Sequence, residues 1–281
     1  MAFTADASEF ISAGHERIAL QVAYNGRNYH GWQRQKSAIS VQEKLEAALS
    51  KVADAPIQVV CAGRTDAGVH ASSQIVHFDT PNARPLRAWT HGGNAKLPDD
   101  VSIQWAKVVP EQFHARFAAS ARQYRYVIYN HPMRPALMDK EVTWNYRPLD
   151  VASMQQAASY LVGEHDFTSF RASACQANSP LRHVYHLKVI AAGDYIILDV
   201  RANAFLHHMI RNFAGLLMHI GSGNQPPEWA LQVLQARDRR QAPATAAPYG
   251  LYFVNAEYSA QFDLPRTPLG PHFLQPWLPV E

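Results

Sequence analysis

The stretch "GRTDAGVH", residues 63–70, sets Arg64, Asp66 and His70 on a turn bracketed by Gly63 and Gly68. Glycine and aspartate suit a tight bend, and a D-x-G turn by itself asks for nothing more. An aspartate keeps its ordinary pKa of about 3.9 in water, so near neutral pH it is ionised and serves as a nucleophile or a base without a cofactor. A second stretch, "RQYRY" (122–126), places Arg122, Tyr124 and Tyr126 on one face of a strand and Arg125 on the other. Guanidinium groups that take phosphates, interleaved with rings that stack on bases, suit nucleic acid. A half-buried tyrosine-rich strand explains the same pattern equally well. In the third stretch, "NAFLHHMIRN" (203–212), a helix puts His207 and Arg211 together at i, i+4. An arginine beside a buried carboxylate favours its ionised form. On a continuous helix the adjacent His207 and His208 point in different directions, so they make a poor metal pair.

These residues need elements to hold them. "RIALQVAY" (17–24) alternates as a strand, and Ser40 with Glu43 forms a capping box ahead of the helical face Val41, Leu45, Ala48, Leu49 and Val52. "PIQVVCAG" and "SQIVHFDT" read as strands flanking the first motif. "RPLRAWTHGGNAKL" reads as a weak helix interrupted by Gly92 and Gly93, and "VSIQWAKVV" as a strand. The same order then recurs. "RQYRYVIYN" is a strand and Asp150 opens a helix. "RHVYHLKVIAA" and "YIILDVRAN" form a hairpin at Gly193-Asp194. Leu206, Met209, Phe213, Leu217 and Ile220 make a helical face closed by Gly221 and Gly223. A helix near 227–236 precedes the last strand, "LYFVNAEY". The expected class is therefore α+β, with two similar β-α-β-β-α-β halves joined side by side and a cleft along the seam. Residues 1–16 are an irregular lead-in, 17–115 the half carrying the Asp66 loop, 116–263 the second half, and 264–281 a Pro-rich tail.

Composition bounds the function. The 281 residues are 47% hydrophobic and 17% charged, enough for a packed core. Cys61 and Cys175 are the two cysteines, which gives neither a disulfide framework nor a C-x-x-C metal pattern and fits a reducing cytoplasm. The first residues do not read as a signal peptide, and no apolar run is long enough for a membrane helix. Net charge is +3, but three stretches lack any acid: 112–138, 167–193 and 200–227. They carry Arg116, Arg122, Arg125, Arg134, Arg171, Arg182, Lys188, Arg201 and Arg211, a distribution able to build one positive surface against a phosphate backbone.

Taken in order and with their separations, "GRTDAGVHA", "ARQYRYVIYN" and "RANAFLHHMIRN" closely resemble the tRNA pseudouridine synthase I (TruA-type) family. "YNGRNYHGWQRQ" and "GLYFVNAEY" extend the likeness over roughly residues 17–273. The resemblance implies RRM- or ferredoxin-like halves around a central RNA-binding cleft. It implies isomerisation of uridine to pseudouridine at positions 38, 39 and 40 of the tRNA anticodon stem-loop, with no cofactor and no essential metal. The expected partners are tRNA and a second copy of the chain, the tRNA spanning both subunits; no membrane and no DNA are expected. By the same resemblance Asp66 is the catalytic aspartate, Tyr124 stacks on the target base and Arg211 pairs with the carboxylate. Arg64 contacts RNA and helps extrude the nucleotide. Leu251 or Tyr252 is a candidate for a further wall of the base pocket. Whether the carboxylate attacks C1′ of the ribose, attacks C6 of the ring or takes a proton from the sugar is left open by the sequence.

Two rivals carry different expectations. A non-catalytic RNA-binding protein on an RRM-like double sheet makes Arg64, Asp66 and Arg211 accidental. A metal-dependent nuclease needs Asp66, Asp79, Asp99 or Asp100 to converge on one ion.

Overall fold

The computed structural model describes residues 15–173 and 175–277. Most of the expected lead-in, and the last four residues of the tail, lie outside them. Among the described residues, ten strands form one sheet: β1 Glu16–Tyr24, β2 Val60–Cys61, β3 His70–Thr80, β4 Val101–Val108, β5 Ala121–Asn130, β6 Thr143–Asn145, β7 Gly163–Asp166, β8 Leu181–Ala192, β9 Tyr195–Ala202 and β10 Leu251–Glu257. Their order is β4-β1-β3-β10-β5-β9-β8-β7, with β2 paired to β3 and β6 to β5. With the short β6 and β7 set aside, the strands of each half, β4-β1-β3-β2 and β10-β5-β9-β8, both run 4-1-3-2, the order of a split β-α-β unit. The class is α+β, as the alternating patterns predict.

The halves join where β10 pairs in parallel with β3 at Tyr252↔His70 and Phe253↔Ala71. Farther along the same edge of β3, β2 pairs antiparallel at Val60↔His77 and Cys61↔Val76. The expected strand 56–63 is cut to two residues: the Ala62 N–H still reaches the Ile75 carbonyl at 2.8 Å, but the Val59 N–H turns away to the Glu46 carboxylate at 3.0 Å. The loop carrying Asp66 leaves the sheet at this seam.

Among the described residues four α-helices accompany the sheet: α1 Val41–Ala53, α2 Val151–Ser159, α3 Met209–Gly221 and α4 Trp229–Ala236. Ser40 caps α1 by accepting the Glu43 N–H at 3.3 Å, and Asp150 caps α2 through the Ala152 N–H at 3.0 Å. The weak helix is not interrupted at its glycines: a wide turn, Ala88–Gly92, continues through Gly93 with helical angles. Two-residue alternation divides the strands between two cores. Tyr124, Tyr126, Ile128, Leu251 and Phe253 join the helix-covered core with Leu45, Leu49, Phe213, Leu217 and Ile220. Val127, Tyr252 and Val254 face the other side, where Leu274 of the tail is fully buried against them.

Candidate active site

The loop between β2 and β3 is held from several sides. The Gln74 side chain donates to the Gly63 carbonyl at 2.6 Å and accepts its N–H at 3.4 Å. Thr65 exchanges a hydroxyl bond with Tyr24 at 2.8 Å, and its carbonyl accepts the Trp32 N–H at 3.0 Å. Gly68 takes φ +78°, the left-handed angle the bend requires, and donates to the Tyr29 carbonyl. His70, 1% exposed, has a structural task. Its Nδ1 accepts the Gly26 N–H at 3.1 Å, so Nε2 carries the proton and donates to the Lys140 carbonyl at 2.8 Å. Burial holds this imidazole below its ordinary pKa, the neutral form that the two bonds demand.

So fixed, Asp66 presents its carboxylate, a quarter exposed, to the start of α3. Arg211 Nη1 lies 3.2 Å from Oδ2, across 145 positions of sequence, and its Nε donates to the Ala246 carbonyl at 2.9 Å. The expected pair forms. Two further groups meet the same carboxylate: His207 Nε2 lies 3.2 Å from Oδ1 and His208 Nε2 3.3 Å from Oδ2. This corrects the divergent histidines expected from a continuous helix. Helix α3 begins only at Met209, and His208 takes the left-handed φ +63°. The two rings therefore converge, with centroids 4.0 Å apart. Burial lowers the His208 pKa; the Asp66 charge opposes this, and Arg211 and His207 add to the lowering.

Asp66 opens onto a cleft of about 1440 Å³ between the halves. It is the one carboxylate among the described lining residues, against Arg64, Arg116, Arg122, Arg182 and Arg211. Tyr124 and Leu251 line the same cleft. Tyr124 is 8% exposed, its ring edge-on to Phe205 at 5.1 Å and Phe253 at 4.9 Å. Burial raises its hydroxyl pKa strongly, so the phenol stays protonated. Tyr252 does not join them; one residue on, it faces the other side of the sheet and stacks on His70 at 4.8 Å.

The arginine-aromatic strand needs correction as well. Arg125 is 3% exposed and bonded to Asp199 at 2.6 Å, and Tyr126 is buried with its hydroxyl on Thr143 and the Ala247 carbonyl. Arg122 spends its donors on the carbonyls of Ala62, Ala119, Asn203 and Arg116. These groups are spent on the fold rather than on phosphates, and Arg122 alone of the three reaches the other half, at Ala62. Exposed Arg64 and Arg116 do reach solvent in the cleft, and Arg116 lies over the ring of Phe117 at 5.4 Å. Phe117, 66% exposed, is a flat apolar face that the charge pattern alone did not single out. Convergence of the four aspartates does not occur. Arg17 holds Asp79 with two bonds of 2.7 and 2.8 Å, Tyr29 and Asn28 hold Asp100, and Asp99 does not line the cleft.

Comparison with known proteins bears on this site. A family model described as tRNA pseudouridine synthase matches residues 20–118 and 157–259. A tRNA pseudouridine synthase A from Pseudomonas aeruginosa is 60% identical over 269 residues, 95% of this chain and 94% of its own. One from Citrobacter koseri is 55% identical over 258 residues, covering 92% and 96%. Among solved structures, a chain of a Cbf5-Nop10-Gar1 complex has a TM-score of 0.34 at 12% identity, covering 84% of this chain and 58% of that one. With the model matching most of the sequence and such relatives matching nearly its whole length, the chain belongs to the tRNA pseudouridine synthase family.

Proposed function

We propose that the chain isomerises uridine to pseudouridine in tRNA, at positions 38, 39 and 40 of the anticodon stem-loop, with Asp66 acting on a flipped-out uridine. The observation that carries this is the lone cleft carboxylate meeting Arg211 across the seam, in the cleft that Tyr124 lines. The reaction breaks the N1–C1′ bond, turns the uracil and rejoins it through C5, releasing the C5 hydrogen while N1 gains one. No electron or phosphate is exchanged, so a carboxylate suffices. Asp66 attacks C1′ or C6, or takes a proton from the sugar. Arg211 stabilises the carboxylate as charge moves away from it and returns.

The freed base must be retained while it turns, which favours walls that exclude water. Tyr124, protonated and nearly buried, supplies one, and Leu251, 5% exposed, a second. Unstacking the uridine costs a few kcal/mol. Exposed Arg64 and Arg116 offset this by taking backbone phosphates, and Phe117 offers a stacking face. A homodimer with the tRNA lying across both subunits, in the cytoplasm, completes the proposal; among the described residues no helix is long and apolar enough to cross a membrane.

The test uses tRNA transcript carrying tritium at uracil C5, with anticodon arms that differ in uridine placement. Wild type releases tritium to water and Asp66→Asn does not, while both bind the tRNA. Binding without release by the wild type would leave the non-catalytic RNA-binding protein as the better account.

A further inference from the structure

His207 and His208 have no assigned step in this reaction, yet they place two imidazole nitrogens against the two oxygens of one carboxylate. In a tetrahedral zinc site with bonds of about 2.0–2.1 Å, neighbouring ligand atoms stand about 3.3 Å apart. Each imidazole nitrogen already stands at that length from one carboxylate oxygen, His207 from Oδ1 at 3.2 Å and His208 from Oδ2 at 3.3 Å. One ligand atom from each of the three residues lies within 4.8 Å of the others, so rotation of the carboxyl group and of the rings, 40% and 28% exposed, brings both nitrogens to that length from one oxygen. The cleft leaves room for a fourth ligand, a water or an RNA oxygen. Two imidazoles with one carboxylate favour Zn²⁺ and its late first-row neighbours over Mg²⁺, which prefers all-oxygen octahedra. The Arg211 charge, 3.2 Å from Oδ2, opposes a cation and keeps such binding reversible.

We propose that Asp66, His207 and His208 form a three-ligand site for Zn²⁺ or a similar ion, and that the bound ion withdraws the carboxylate from uridine, making the site inhibitory. The inhibition rests on the function proposed above; the binding does not.

The full-length chain is titrated with Co²⁺, whose visible absorption reports four-coordinate geometry, and the bound Co²⁺ is displaced with Zn²⁺. Absorption bands are expected in the wild type. His207→Ala, His208→Ala and Asp66→Asn should each weaken Zn²⁺ at least about 100-fold, since loss of an outer partner alone costs 10–100-fold. His30→Ala, in the same cleft, should bind as wild type does, and circular dichroism verifies that each variant is folded. Absent bands, or folded variants that bind like wild type, overturn the site. In the tritium assay Zn²⁺ should halt release and a chelator restore it; zinc-loaded protein working at full rate overturns the inhibition. Protein that binds Zn²⁺ through these three residues but never releases tritium, even in chelator, upholds the site and refutes the isomerase.

Discussion

Replacing Arg211 tests how much of the chemistry depends on one ion pair. At 3.2 Å, two unit charges in a medium of effective dielectric about 20 attract by about 5 kcal/mol. Water reaches a quarter of the Asp66 side chain, and two imidazoles remain beside the carboxylate after the change. A net loss of about 2–4 kcal/mol follows, in the range found when one preorganised donor is removed from an active site. Arg211→Gln should therefore slow single-turnover tritium release about 30- to 1000-fold at saturating enzyme. Arg211→Lys keeps the charge and loses the Nε bond to the Ala246 carbonyl, so it should fall between wild type and Gln. Filter binding of the same tRNA separates chemistry from affinity. An Arg211→Gln enzyme within threefold of wild type, still binding tRNA, would refute the electrostatic argument. A Lys variant slower than Gln would show that geometry, rather than charge, is the contribution.

Two other expectations concern stability. Burial, with Arg17 and His114 nearby, pushes His77 down to about 3 from its ordinary 6.5, and its Nδ1 accepts the Ala115 N–H at 3.1 Å. Because the folded pKa is depressed, the unfolded chain alone binds the proton between pH 6.5 and 3. Stability is full above that window and falls with pH, by about 2 kcal/mol at pH 5. Urea unfolding of His77→Asn should lose that much less between pH 7.5 and 5 than wild type; equal losses would contradict the assignment. In α3, a Cβ on Gly215 would stand 2.3 Å from the Ala244 carbonyl oxygen. Gly215→Ala should therefore cost about 1–3 kcal/mol despite alanine's better helix propensity. It should also slow tritium release, since displacing 244–246 moves the anchor of Arg211; an unchanged melting temperature would disprove the close approach.

Strand alternation, the two side-chain caps and the Gly193-Asp194 hairpin were legible because they are local, each resting on residues a few positions apart. The Asp66–Arg211 contact was legible through the family resemblance and not through spacing, since 145 positions separate the partners. The fates of Arg122 and Arg125 were hidden for the same physical reason: the Ala62 and Asn203 carbonyls and the Asp199 carboxylate that hold them lie 60 or more positions away. Shortening of β2 was hidden too, because Val59 and Ala62 are as apolar as a full strand requires, and only the Glu46 carboxylate, thirteen positions before Val59, draws the Val59 N–H away from β3. The convergence of His207 and His208 depended on one left-handed residue, His208, at a helix start with no side-chain cap. An His-His pair just ahead of a helix face was the available signal, and a single dihedral decided its meaning.

Strand β10 is the last strand of the sheet in sequence, yet it lies near the middle, between β3 and β5. A ribosome that has not passed residue 257 therefore holds a chain in which β3 and β5 each leave bare the stretch that β10 later pairs, the kind of edge that invites pairing with other chains. On that chain Asp66 belongs to one unclosed sheet, and Tyr124 and Arg211 to the other. On the proposed chemistry, activity therefore awaits the filling of the central slot, and prematurely terminated chains keep the parts of the site on separate sheets and their edges open to association. Insertion of this strand is the step at which translation delivers a working catalyst, and folding helpers would have most to protect just before it.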